Sequence, residues 1–191
     1  MTAYSPPQHI GSSGALVAHR VDDYPETVSA PATNFQPLTP SRRRLQPGDI
    51  FAMQLPDRRF IFGRVVRTDA DCFAAGCILI YVFGHTSDTP VPPARLLVHD
   101  LLIAPMTINR LGWSRGYFMT IDSRPFEEGE RLPVHYFERT RWGETEYVDE
   151  DRQAVGQPQE GTPVGFQGLG NYLTVDHDVS IALGIPLALD E

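Results

Sequence analysis

The sequence predicts a mainly β fold, with α+β as its variant: a curled antiparallel sheet or partly open barrel followed by one short C-terminal helix. Three observations carry this. Short apolar runs rich in β-branched and aromatic residues alternate with turn signals at near-regular spacing. The most apolar run, residues 76–83, has a strand's length rather than a helix's. Helical punctuation is confined to the end, where an Asp, an apolar stripe and Gly184-Ile185-Pro186 follow one another.

Taken in order, residues 1–44 read as a poorly ordered arm. Pro6, Pro7, Pro25, Pro31, Pro37 and Pro40 interrupt any regular element, and Arg42, Arg43 and Arg44 close the arm as a solvated linker end. A single domain is expected over residues 45–191. Pro47-Gly48-Asp49 is a turn, residues 50–55 a strand, 56–59 a second turn and 60–67 the returning strand of a hairpin. Gly63 marks a bulge or a close approach of another group. Residues 76–83 are the central strand. Residues 96–103 and 106–111 read as shorter strands, the first with a helical turn as the alternative. Residues 113–121 read as another strand, with Trp113 as a core residue. Residues 134–138 and 145–148 form a hairpin around Trp142-Gly143, and 149–165 a polar loop. Asp176 is the expected N-cap of a helix over 177–183.

The chain has 191 residues, 41% of them hydrophobic, enough for one core without staples. Mean hydropathy is −0.23. No apolar run approaches the roughly 18 residues of a membrane span, and no secretion leader is visible, so a cytoplasmic protein is expected. Cys72 and Cys77 are the only cysteines and read as inert residues, neither a disulfide framework nor a zinc site. All sixteen basic residues are Arg, and the net charge of −8 is unevenly spread. Residues 120–191 hold five Arg against fifteen acids, whereas residues 1–119 are close to balanced. An acidic surface repels nucleic acid and attracts basic proteins; its plainest role is solubility.

Linear catalytic signatures are missing. There is no Gly-x-Ser-x-Gly, and residues 165–170 form a glycine cluster lacking the Lys of a phosphate loop. No cofactor is implied. His85, His99, His135 and His177 show no metal-ligand spacing; with Asp176 they make up the pool from which a site assembled across strands could draw. The carboxylate groups Glu127-Glu128, Glu144 with Glu146, and Asp149-Glu150-Asp151 lie in polar turns and read as solvated acids with modest pKa displacement. Arg58, Arg59, Arg64 and Arg67 cluster on the first hairpin, but the overall charge opposes nucleic-acid binding.

Several segments together carry a resemblance. Residues 47–52 (PGDIFA) and 60–65 (FIFGRV), then 100–105 (DLLIAP), 112–118 (GWSRGYF), 168–172 (GLGNY) and 181–184 (IALG), resemble the immunity protein 26 family over about residues 45–185. The resemblance implies an antitoxin: a bacterial protein that binds the toxin domain of a polymorphic toxin. The partner would be a cognate toxin, such as a nuclease with a basic cleft. The acids Glu127, Glu128, Glu130, Glu144, Glu146, Asp149, Glu150 and Asp151, with Trp142, are then the expected contact face. Some similar proteins carry a phosphotriesterase label, which implies the alternative of a metal-dependent hydrolase. The opening Gly-Asp-Ile is shared with SH3-like ribonuclease toxins, but that likeness stops after the first hairpin.

Overall fold

The computed structural model describes residues 32–72 and 76–189. Among the described residues, eight strands form two open sheets. The larger has the order β4-β3-β2-β1-β5, from β1 (Asp49–Gln54), β2 (Phe60–Ala70), β3 (Cys77–Ser87), β4 (Met106–Ile108) and β5 (Met119–Ser123). Every pairing in it is antiparallel. The smaller has the order β7-β6-β8, from β6 (Tyr136–Arg141), β7 (Glu144–Val148) and β8 (Val164–Phe166). Its β6–β7 hairpin is antiparallel, while β8 runs parallel to β6. The mainly β expectation holds.

The large sheet is buried on both faces, which explains why its strands read as continuous apolar runs. Ile61, Val65, Ile78, Ile80 and Val82 face a core shared with Phe35, Trp113, Phe118, Tyr172, Val175 and Val179. On the other side Phe60, Phe62, Val66, Leu79, Tyr81 and Phe83 meet Leu96, Phe137 and Val148 of the second layer. Gly63 is a close approach: a Cβ there would lie 2.2 Å from the Phe51 Cζ. The bulges sit beside it, at Ile61/Phe62 and between Val65 and Arg67.

Several expected elements change. Residues 96–103 contain a 3-10 turn (Val98–Asp100) in place of a strand. Residues 113–121 do not form one strand. Helix α1 (Leu111–Ser114) comes first, started by Asn109 Oδ1 accepting the Leu111 N–H at 2.9 Å, and β5 follows. The helical turn brings Trp113 to 5.0 Å from Phe51 and 5.1 Å from Phe118, so it is a core residue on a helix. Helix α2 (Tyr172–Leu183) begins five residues before the expected start, at Asn171, which accepts the Leu173 N–H while Thr174 accepts the Asn171 N–H. Asp176 is therefore no cap. It is buried in the helix and accepts the Asn34 N–H at 2.9 Å, and burial raises its carboxyl pKa. Gly184 ends the helix in the left-handed region at φ 68°.

The described part of the proline-rich arm belongs to this folded unit. Phe35 is in the core, Gln36 bridges to Gln54, and the Leu38 and Ser41 N–H groups donate to Gly116 and Trp113 carbonyls. Residues 1–31, with the first prolines of the arm, lie outside the described residues. Cys72 and Cys77 are not free thiols but a disulfide, with Cα atoms 6.1 Å apart where β2 gives way to β3. No helix among the described residues is long and apolar enough to cross a membrane.

Candidate partner-binding surface

The acidic last third divides into two populations. The first, Glu130 and Glu150, is turned inward, and Glu130 meets Arg64. Arg64 falls in phase with Phe60, Phe62 and Val66, so its side chain enters the layer between the sheets and is fully buried. Its guanidinium donates to Glu130 at 2.7 Å and to the Arg124 and Pro125 carbonyls, and lies 3.8 Å from the centre of the Phe126 ring. Glu130 also accepts the Glu127 and Leu96 N–H groups. These bonds pin the segment between β5 and β6 onto the sheet. They hold the Glu130 carboxyl below its ordinary range although burial acts against them.

Glu150 belongs to a second buried cluster. The Tyr81 hydroxyl, also buried, accepts the Leu132 N–H at 3.1 Å and lies 2.6 Å from His135 Nε2. His135 Nδ1 lies 2.9 Å from Glu150, and Arg67 approaches the other Glu150 oxygen at 3.6 Å. A proton on Nδ1 lets His135 donate to Glu150. The His135 bond is the main reason the Glu150 carboxyl is held at about 2, and burial pushes the Tyr81 hydroxyl up to about 12. Glu130 and Glu150 are thus not solvated acids of an open face. Both are spent inside the protein.

The second population reaches solvent. Glu127, Glu128, Glu144 and Asp151 are exposed, and Glu146 and Asp149 half-buried. Most are held locally. Arg95 lies 3.8 Å from Glu127, Arg139 donates to Glu146 at 2.8 Å, and Arg67 donates to Asp151 at 2.8 Å. Asp149 accepts the Asp151 and Gln153 N–H groups, shaping its own loop. Trp142 is 87% exposed at the tip of the β6–β7 hairpin. Trp142 and Gly143 both have positive φ, 52° and 85°, as a two-residue hairpin turn requires. The Arg141 guanidinium stacks 4.2 Å over the indole.

The four described histidines are not gathered at one place. His85 and His99 line one hollow of about 520 Å3, with Asp100 and Arg95. His135 is in the buried cluster, while His177 is exposed on α2 and bonds Asp178 at 3.0 Å. Among the described residues no three His, Cys, Asp or Glu side chains are grouped as metal ligands.

Sequence reasoning missed two buried polar clusters, Arg64 with Glu130 and Tyr81 with His135 and Glu150. Arg64 had a legible signal, a charge at an inward position of an apolar strand; His135 had none. The family model described as Immunity protein 26 matches residues 46–148, from the turn before β1 to the end of β7. No curated protein and no solved structure matches the chain.

Proposed function

The chain belongs to the immunity protein 26 family, and from that premise we propose that it neutralises a polymorphic toxin by binding the toxin domain directly. The observation that supports this most is the β6–β7 hairpin, which offers an exposed Trp142 beside Glu144 and Glu146 in the most acidic part of the chain. An exposed aromatic anchor with a charged rim is the make-up of a binding hot spot. The contact face takes Glu127, Glu128, Trp142, Glu144, Glu146, Asp149 and Asp151. It omits Glu130 and Glu150, whose charges are consumed by Arg64, His135 and Arg67. The partner such a face fits is a toxin with a basic surface, a nuclease cleft being one example. Complementary charge speeds encounter and sharpens specificity.

The test is co-expression with a candidate cognate toxin, together with binding kinetics on the purified pair. Wild-type protein should rescue growth. Reversing Glu127, Glu128 and Glu144 to Arg should slow association by roughly tenfold at low salt and flatten its salt dependence. Asp149-Glu150-Asp151 is the wrong place for charge reversal, because Glu150 is structural. Association unchanged by the triple reversal would remove the acidic face from the mechanism. Failure to bind or rescue at all would remove the immunity role.

A further inference from the structure

The outer face of the small sheet carries chemistry that an ordinary solvent face lacks. Phe137, Val148 and Gly165 are buried toward the core. Strand alternation therefore puts Tyr136 and Glu138 of β6, Tyr147 of β7, and Val164 and Phe166 of β8 on the opposite face. Glu138 is the register partner of both Tyr147 and Phe166, so one row, Tyr147–Glu138–Phe166, crosses all three strands. At the usual strand spacing that row is about 10 Å wide. Phe166 is 76% exposed, and Glu138 is exposed too. Among the described residues Glu138 forms no ion pair. The cations nearest to it in β6, Arg139 and Arg141, are engaged elsewhere, one bonding Glu146 and the other stacking on Trp142, although with Arg152 they also line a hollow at the far edge of Phe166. Beside Phe166 opens a hollow of about 530 Å3 lined by Met106, Val164, Phe166 and Leu169, with Asp178 as its one charged lining residue.

A carboxylate bracketed by aromatic rings attracts a cation twice over, through the ion pair and through the ring faces. Exposed apolar area beside it accommodates the stem of a long side chain or a neighbouring apolar residue. We propose that Glu138, Tyr147 and Phe166 form a seat for an arginine or lysine side chain of a protein partner, with the adjoining hollow receiving the apolar residue next to it. This goes beyond the toxin-binding reading, since the seat lies on the opposite face of the small sheet from Glu144 and Glu146, and rests on that reading only for which protein brings the cation.

The test uses the full chain and two blocked tripeptides, acetyl-Gly-Arg-Gly-amide and its citrulline counterpart, which keeps the shape and loses the charge. Titration followed by NMR should give saturable shifts at Glu138, Tyr147 and Phe166 for the arginine peptide, with a dissociation constant on the order of millimolar. Glu138→Gln and Phe166→Leu should each weaken binding about threefold. Both change surface side chains, and unaltered spectra elsewhere confirm the fold. Equal binding of the citrulline peptide overturns the proposal, since the face then takes any apolar group. Shifts at these residues that follow the protein's own concentration overturn it too, because a second copy is then the occupant. A toxin neutralised equally well by Glu138→Gln ends the seat and leaves the immunity role standing. A seat that binds arginine in a protein that rescues nothing does the reverse.

Discussion

Replacing Glu150 by Gln should remove one specific part of the acid sensitivity of this fold. The carboxylate side chain is only 14% exposed and is held by His135 at 2.9 Å and Arg67 at 3.6 Å. Those contacts lower its pKa from an ordinary 4.5 to about 2, with the His135 hydrogen bond the largest cause. A carboxyl with a depressed folded-state pKa stabilises the protein above the unfolded value. That stability is lost as the pH falls through the folded value. The difference corresponds to about 3 kcal/mol at neutral pH, an upper figure since the group is partly solvated. In Glu150→Gln this contribution is absent at every pH. Urea unfolding at a series of pH values should therefore show the wild-type advantage narrowing by most of that amount between pH 5 and pH 2. A wild-type advantage that stays constant over this interval would refute the buried cluster as the source of the stabilisation.

Four further outcomes follow from the same contacts. Glu130→Gln strips the partner from a fully buried guanidinium and should cost about 3 kcal/mol in urea unfolding; Glu127→Gln, three residues away and exposed, should cost under about 0.5 kcal/mol. Equal effects would contradict the division of the acids into two populations. Gly63→Ala drives a Cβ to 2.2 Å from the Phe51 ring and should lose roughly 1–3 kcal/mol by thermal melting, because neither the strand nor the packed ring has room to give. Asn171→Ala removes the cap of α2 and should cost about 1 kcal/mol, with faster hydrogen exchange at the Leu173 amide as its local signature. Trp142→Ala should leave stability within about 0.5 kcal/mol while weakening toxin binding, measured on the same preparation by calorimetry; a variant that binds unchanged removes Trp142 from the contact face.

The fold was more legible than the site. The first hairpin, the central strand and the β6–β7 hairpin follow from apolar runs bounded by Pro-Gly, Pro-Asp and Trp-Gly turns, which are local signals. Residues 111–114 misled because Trp113, Tyr117 and Phe118 look like strand residues; the helical turn is set by Asn109 and by Gly112, where a Cβ would lie 2.3 Å from the Phe118 ring. Asp176 misled in the opposite way. It has the right chemistry for a cap, but Asn171 and Thr174 form a reciprocal one earlier, and the extra turn buries Tyr172 and Val175. Among the acids, nothing in residues 127–151 distinguishes Glu130 from Glu128 by composition. Their fates separate only because Arg64 reaches one of them across 66 residues of chain.

By itself, the sequence determined the strand content, the family and the concentration of negative charge in the last third. These depend on side-chain type and on periodicity along the chain, both of which are local. The tertiary structure decided which charges remain available to a partner. A carboxylate's exposure, its pKa and its partner depend on which distant strand is folded over it. Glu130 and Glu150 went inward to Arg64 and His135, while Glu138, one of many acids in the sequence, came to share one cross-strand row with Tyr147 and Phe166.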